Sequence, residues 1–66
     1  MYYVLAEYTR AYGWQPQFGD YDRQTVRDEL SEYRYNNRLR GTKTKYRIIK
    51  CDNDSQAALD AALRGI

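Results

Sequence analysis

KTKYRIIKC, residues 43–51, is the stretch that decides the fold. Its side chains alternate with a period of two. Thr44, Tyr46 and Ile48 point one way and Lys43, Lys45 and Arg47 the other, with Ile49 the first apolar residue on that second side. Successive side chains of a strand point to opposite faces, so the pattern predicts a β-strand with one face in a core and one lined by cations.

Upstream, Val26, Leu30, Tyr33 and Asn37 recur at spacings of four, three and four. This is the stripe of a helix over about residues 22–39, narrow and fading at its end. Asp20 or Asp22 suits its N-cap, because a carboxylate accepts the orphan amide donors there. Arg34, Arg38 and Arg40 fall near the negative helix end, and Gly41 fits the left-handed residue that stops a helix. Downstream, Asp52 to Asp54 reads as a turn, with Asn53 or Asp54 capping a second helix over about residues 55–64. Ala58, Leu59, Ala62 and Leu63 supply its apolar face, and Ile66 follows on.

At the other end, YYVLAEYTR (residues 2–10) reads as a strand with Tyr2, Val4, Ala6 and Tyr8 on one face. Its other face begins apolar with Tyr3 and Leu5 and turns polar with Glu7 and Thr9. Ala11 to Gly13 turns the chain. Trp14 to Phe18 is then a short extended segment, which Pro16 confines to an edge or a loop because it lacks an amide donor. Gly19 and Asp20 break the pattern. The order β-(β)-α-β-α predicts one small α+β domain spanning residues 1–66. Its two- or three-stranded sheet, antiparallel or mixed, is expected to be packed on one face by two helices.

A chain of 66 residues lies near the lower limit for folding without disulfides, metal or oligomerisation. Aliphatic residues are few, and eight tyrosines, one Trp and one Phe make up the deficit, since an aromatic ring buries a large area while a Tyr hydroxyl stays wet. A homodimer that extends so thin a core is a secondary expectation. Cys51 is the one cysteine and histidine is absent, which excludes an internal disulfide, a Cys/His zinc site, a Ser-His-Asp triad and a Cys-His dyad. Without paired cysteines or a signal peptide, a cytoplasmic, reducing location is expected. The apolar run Tyr2 to Ala6 is far too short to span a membrane, so no membrane partner is expected.

Charge is segregated along the chain. Tyr33 to Cys51 carries seven cations (Arg34, Arg38, Arg40, Lys43, Lys45, Arg47, Lys50) and no acid, whereas all nine acids and four cations lie elsewhere. A net charge of +2 hides this. Tyr35 and Tyr46 lie among the cations, an arrangement suited to stacking bases and neutralising phosphate, or to docking on an acidic protein. The plainer reading is a solvated face that guards an edge strand, for which lysines are the usual device. Trp14, in the aromatic segment Tyr12 to Tyr21, is either a core-closing ring or an interface anchor.

Other constellations carry less. Gly13-x-x-x-x-x-Gly19 lacks the Lys-Ser/Thr of a phosphate loop. Asp28 and Glu32 are four apart on an outward helix face, and solvated carboxylates keep ordinary pKa values unfit for acid–base work near neutrality. Asp52-Asn53-Asp54 lacks the Gly and Glu of a calcium loop. Cys51 is best read as a half-buried structural thiol.

An enzyme is therefore the least expected class, and no cofactor or metal is implied. The expectation is a non-catalytic protein-binding module, a small inhibitor or adaptor with the general look of phage and mobile-element accessory proteins. It would dock on a larger protein with an acidic surface, one belonging in some cases to nucleic-acid processing. The expected contact residues are Trp14, Arg34, Tyr35, Arg38, Lys43, Lys45 and Arg47. The alternative is direct DNA or RNA binding through the same basic patch. A pI near 8.8 and the absence of a recognisable nucleic-acid module weigh against it.

Overall fold

The computed structural model describes all 66 residues. The elements are β1 (Tyr2–Thr9), β2 (Gly13–Asp20), α1 (Arg23–Arg40), β3 (Lys45–Cys51) and α2 (Gln56–Arg64). The strands form one antiparallel sheet in the order β2-β1-β3, so the expected α+β class and element order hold, with three strands. β1 is central, and its middle is buried on both faces, at Val4, Leu5 and Ala6.

The ends of α1 follow the sequence signals. Asp22 caps it, its carboxylate accepting from the Gln24 amide and the Thr25 hydroxyl. Gly41 stops it at φ 72°, its amide donating to the Arg38 carbonyl while the Thr42 amide donates to Asn37. For α2 the cap is Ser55, whose hydroxyl accepts from the Ala58 amide. Neither Asn53 nor Asp54, the expected caps, takes that role, and the Asn53 side chain instead accepts from the Ser55 amide and shapes the turn. β2 runs through Gly19 and Asp20, where the sequence pattern breaks. Gly19 lies in register with Val4, and the Tyr2 ring crosses it in the space a side chain would fill.

The layering differs from expectation, because the two helices lie on opposite faces of the sheet. In the β1–β3 ladder Tyr2, Val4, Ala6 and Tyr8 pair with Cys51, Ile49, Arg47 and Lys45, and all share one face. On it Val4, Ile49 and Cys51 form the buried cluster against Ala58, Leu59, Ala62, Leu63 and Ile66 of α2 and the C-terminus. The other face carries Leu5, Ile48 and Tyr46, and there α1 packs. The Tyr33 ring meets Tyr46 edge-to-face at 5.7 Å, the Asn37 amide donates to the Tyr46 hydroxyl, and Val26 and Leu5 are fully buried. Ile49 and Cys51 give β3 a second apolar patch, and the short turn after Cys51 returns α2 to that side.

Helix lengths then decide how much of each face is covered. At about 1.5 Å per residue α1 is roughly 27 Å long, matching an eight-residue strand at about 3.4 Å per residue. The nine residues of α2 reach only about 13 Å. α2 therefore covers the Tyr2–Cys51 end of its face and leaves the Tyr8–Lys45 end open.

Candidate functional site

The open half-face is built from β1, β2 and β3 together. Tyr8 lies between Lys45 on one side and Trp14 on the other, and Ala6 between Arg47 and Pro16. A bulge brings Trp14 there. Leu5 pairs with Phe18 but Ala6 pairs with Pro16, so Gln17 is the extra residue of β2. One extra residue inverts the side-chain alternation beyond it. Phe18 thus stays in register with Leu5 on the α1 side, while Trp14, of the same sequence parity, turns to the opposite face beside Tyr8. Pro16 sits at this irregularity on an edge strand, the place where a missing amide donor is tolerated.

The four larger side chains of this ledge interlock. The Tyr8 and Trp14 rings meet edge-to-face at 5.4 Å. The Lys45 ammonium lies 5.8 Å from the Tyr8 ring centre, and the Arg47 guanidinium carbon 5.7 Å from that of Trp14. Both distances fall within the range of cation–π attraction. Trp14 is half-buried and Tyr8 is 40% exposed, while Tyr12 in the β1–β2 turn is 76% exposed at the rim. Aromatic pairs and cation–π contacts hold these rings in place before any partner arrives, which lowers the ordering cost of binding.

The remaining candidates lie on the other side of the sheet. Lys43 precedes β3 and lines a cleft between the end of α1 and the start of the strand, together with Arg34 and Arg38. Asn37, Thr42 and Thr44 add polar walls, and Tyr46 is the one apolar-bodied side chain. The expectation that Lys43, Lys45 and Arg47 protrude together from one strand face is corrected: Lys45 and Arg47 stand on the α2 side and Lys43 joins the α1 arginines. Three residues are needed to pass from Gly41 to the first ladder pair at Lys45, and they displace Lys43 from the strand. Tyr35 is 60% exposed on α1 and lines neither surface.

Sequence reasoning thus named Trp14, Lys45 and Arg47 but missed Tyr8, which its strand-face assignment already placed with the apolar set. The available signal was Pro16, whose presence inside an otherwise extended segment points to an edge bulge. Cys51 is buried, and burial first and the Asp52 carboxylate second raise its thiol above the ordinary 9.0, leaving it protonated near neutrality. No group of three or more metal-ligating side chains is assembled, and no helix is long and apolar enough to cross a membrane. No protein-family model, curated protein or solved structure matches the chain.

Proposed function

We propose that the protein is a non-catalytic binding module, an inhibitor or adaptor that docks through the ledge of Tyr8, Trp14, Lys45 and Arg47 on a larger protein with an acidic surface. One observation carries the reading: α2 is too short to cover its sheet face, and the uncovered part presents two aromatic rings interlocked with two cations. Tyr, Trp and Arg dominate binding hot spots because they bury large areas while retaining polar contacts. Lys45 and Arg47 would meet carboxylates at the rim and steer association.

Single-stranded nucleic acid is the second reading, favoured by aromatics and cations on an open sheet face. Two features weigh against it. The ring faces that bases would stack on are already approached by Lys45 and Arg47. The seven cations of residues 33–51 are also divided between opposite sides of the sheet, so they form no continuous track along a phosphate backbone.

The two readings separate in solution. Mixed-sequence oligonucleotides should fail to bind at about 50 mM salt, where any phosphate-driven contact would be strongest. Binding that collapses between roughly 50 and 200 mM salt would transfer the function to nucleic acid. Capture from lysate by the immobilised protein should yield one dominant partner, lost in Lys45→Glu/Arg47→Glu without a lower Tm. Retention of that partner by the double variant would exclude the ledge.

A further inference from the structure

The cleft between α1 and β3 is separate from the ledge and has its own chemistry. Its volume is about 430 Å³, within the roughly 300–1,000 Å³ range of small-molecule sites. Three cations line it and no carboxylate does. The hydrogen bonds inside its wall leave the Tyr46 hydroxyl proton unused. The Thr42 hydroxyl donates to the Asn37 side-chain oxygen, and the Asn37 amide donates to the Tyr46 hydroxyl oxygen. Tyr46 therefore keeps its own O–H proton for another acceptor.

The cations are equally uncommitted. Side-chain hydrogen bonds in the chain are donated by Gln24, Thr25, Ser31, Asn37, Thr42 and Gln56. Arg34, Arg38 and Lys43 donate none. Stabilising the negative end of α1 does not account for all of them, because that end amounts to about half an elementary charge. Two of its last carbonyls, those of Asn37 and Arg38, are also already bonded by the Thr42 and Gly41 amides. A cleft with three positive charges, a free tyrosine hydroxyl proton and no carboxylate selects for a compact polyanion.

We propose that this cleft binds a small anion carrying more than one phosphate group. Arg34 and Arg38 would hold phosphate oxygens from one side, Lys43 from the other, and the Tyr46 hydroxyl would donate from the floor. Three cations against a single aromatic side chain make the phosphates, and not a base, the group recognised.

Titration of tripolyphosphate and of ATP into isotope-labelled protein at fixed ionic strength, followed by amide chemical shifts, tests this. Saturable shifts confined to the end of α1 and residues 42–46 are expected, with the two probes binding within about threefold of each other. Arg38→Gln and Lys43→Gln should each weaken binding roughly tenfold, the loss of one charge-assisted contact. Lys45→Glu/Arg47→Glu should leave it within about twofold, so this site stands or falls independently of the ledge. Undiminished spectral dispersion in each variant shows that it is folded. Shifts scattered over every surface cation, failure to saturate by about 10 mM, or unchanged affinity in both Gln variants would overturn the proposal. ATP binding more than tenfold tighter than tripolyphosphate would overturn phosphate-only recognition.

Discussion

Gly19→Ala tests the packing that aligns β2 with the rest of the sheet. The φ of Gly19 is not in the left-handed region, so the backbone accepts alanine. The obstacle is the Tyr2 ring, since a methyl group would lie 2.6 Å from its Cζ and 2.8 Å from its Cε2, and nearer still to the hydroxyl oxygen. Carbon atoms prefer about 3.5–4.0 Å, so the ring must retreat by roughly 1 Å. Its outer end can pivot, which limits the cost. Resistance comes from the edge-to-face contact with Tyr21 at 4.9 Å and from the Val4–Ile49–Cys51 cluster behind it.

Overpacking of this kind costs about 1–3 kcal/mol, offset by about 0.4–1 kcal/mol from the less flexible unfolded chain. A net loss of about 1 kcal/mol follows, read as a fall of roughly 4–8 °C in Tm for a domain this small. Thermal unfolding followed by circular dichroism measures it, and a double-mutant cycle assigns it. In a Tyr2→Ala background Gly19→Ala should become neutral or stabilising, giving a coupling of about 1–2 kcal/mol between the two sites. A Gly19→Ala protein as stable as wild type, or a coupling below about 0.5 kcal/mol, would refute the reasoning.

Three further changes probe the core, the helix stop and the buried thiol. Leu5→Ala removes a fully buried side chain and should cost about 2–5 kcal/mol, against a total near 3–10 kcal/mol for a chain of this length, so urea melts should show roughly half the stability lost. Gly41→Ala forces a side chain into φ 72° and should cost about 1 kcal/mol, measured by the same melts. It should also weaken polyphosphate binding by displacing Lys43. The raised Cys51 pKa means that the folded protein holds the thiol proton more tightly than the unfolded chain. The corresponding stability is intact below the ordinary value of 9.0 and is lost as pH rises through the folded value. The alkaline fall in Tm should therefore be shallower in Cys51→Ala than in wild type; an equal or steeper fall contradicts the assignment.

Local signals made most of the fold legible from sequence. Alternation in residues 43–51, a cap at Asp20 or Asp22 and Gly41 each specify their element through short-range chemistry, and the structure keeps them to within two residues, with β3 starting at Lys45 and Asp22 as the cap. Face assignment was harder because it depends on parity. Ile49 and Cys51 give β3 a second apolar side, and the turn after Cys51 decides which side α2 covers. The Gln17 bulge is likewise a one-residue event that moves Trp14 across the sheet, and no periodicity within so short a strand records it. Both effects bear on the candidate contact surface. Of the seven cations clustered in sequence, the sheet separates Lys45 and Arg47, on a ledge with Tyr8 and Trp14, from Arg34, Arg38 and Lys43, in the cleft between α1 and β3. Lys43 was assigned to the wrong group because the loop after Gly41 consumes the residues that alternation had given to the strand.

The ledge itself can be interrogated without knowing the partner in advance. Trp14 is replaced by the photoreactive residue p-benzoylphenylalanine, and in a second protein Tyr35 is replaced in the same way, each irradiated in lysate after its Tm has been matched to wild type. Cross-linking of one dominant protein from position 14 and none from position 35 is the predicted result. The same protein captured from position 35 but not from position 14 would place the contact on α1 and contradict the assignment of the ledge.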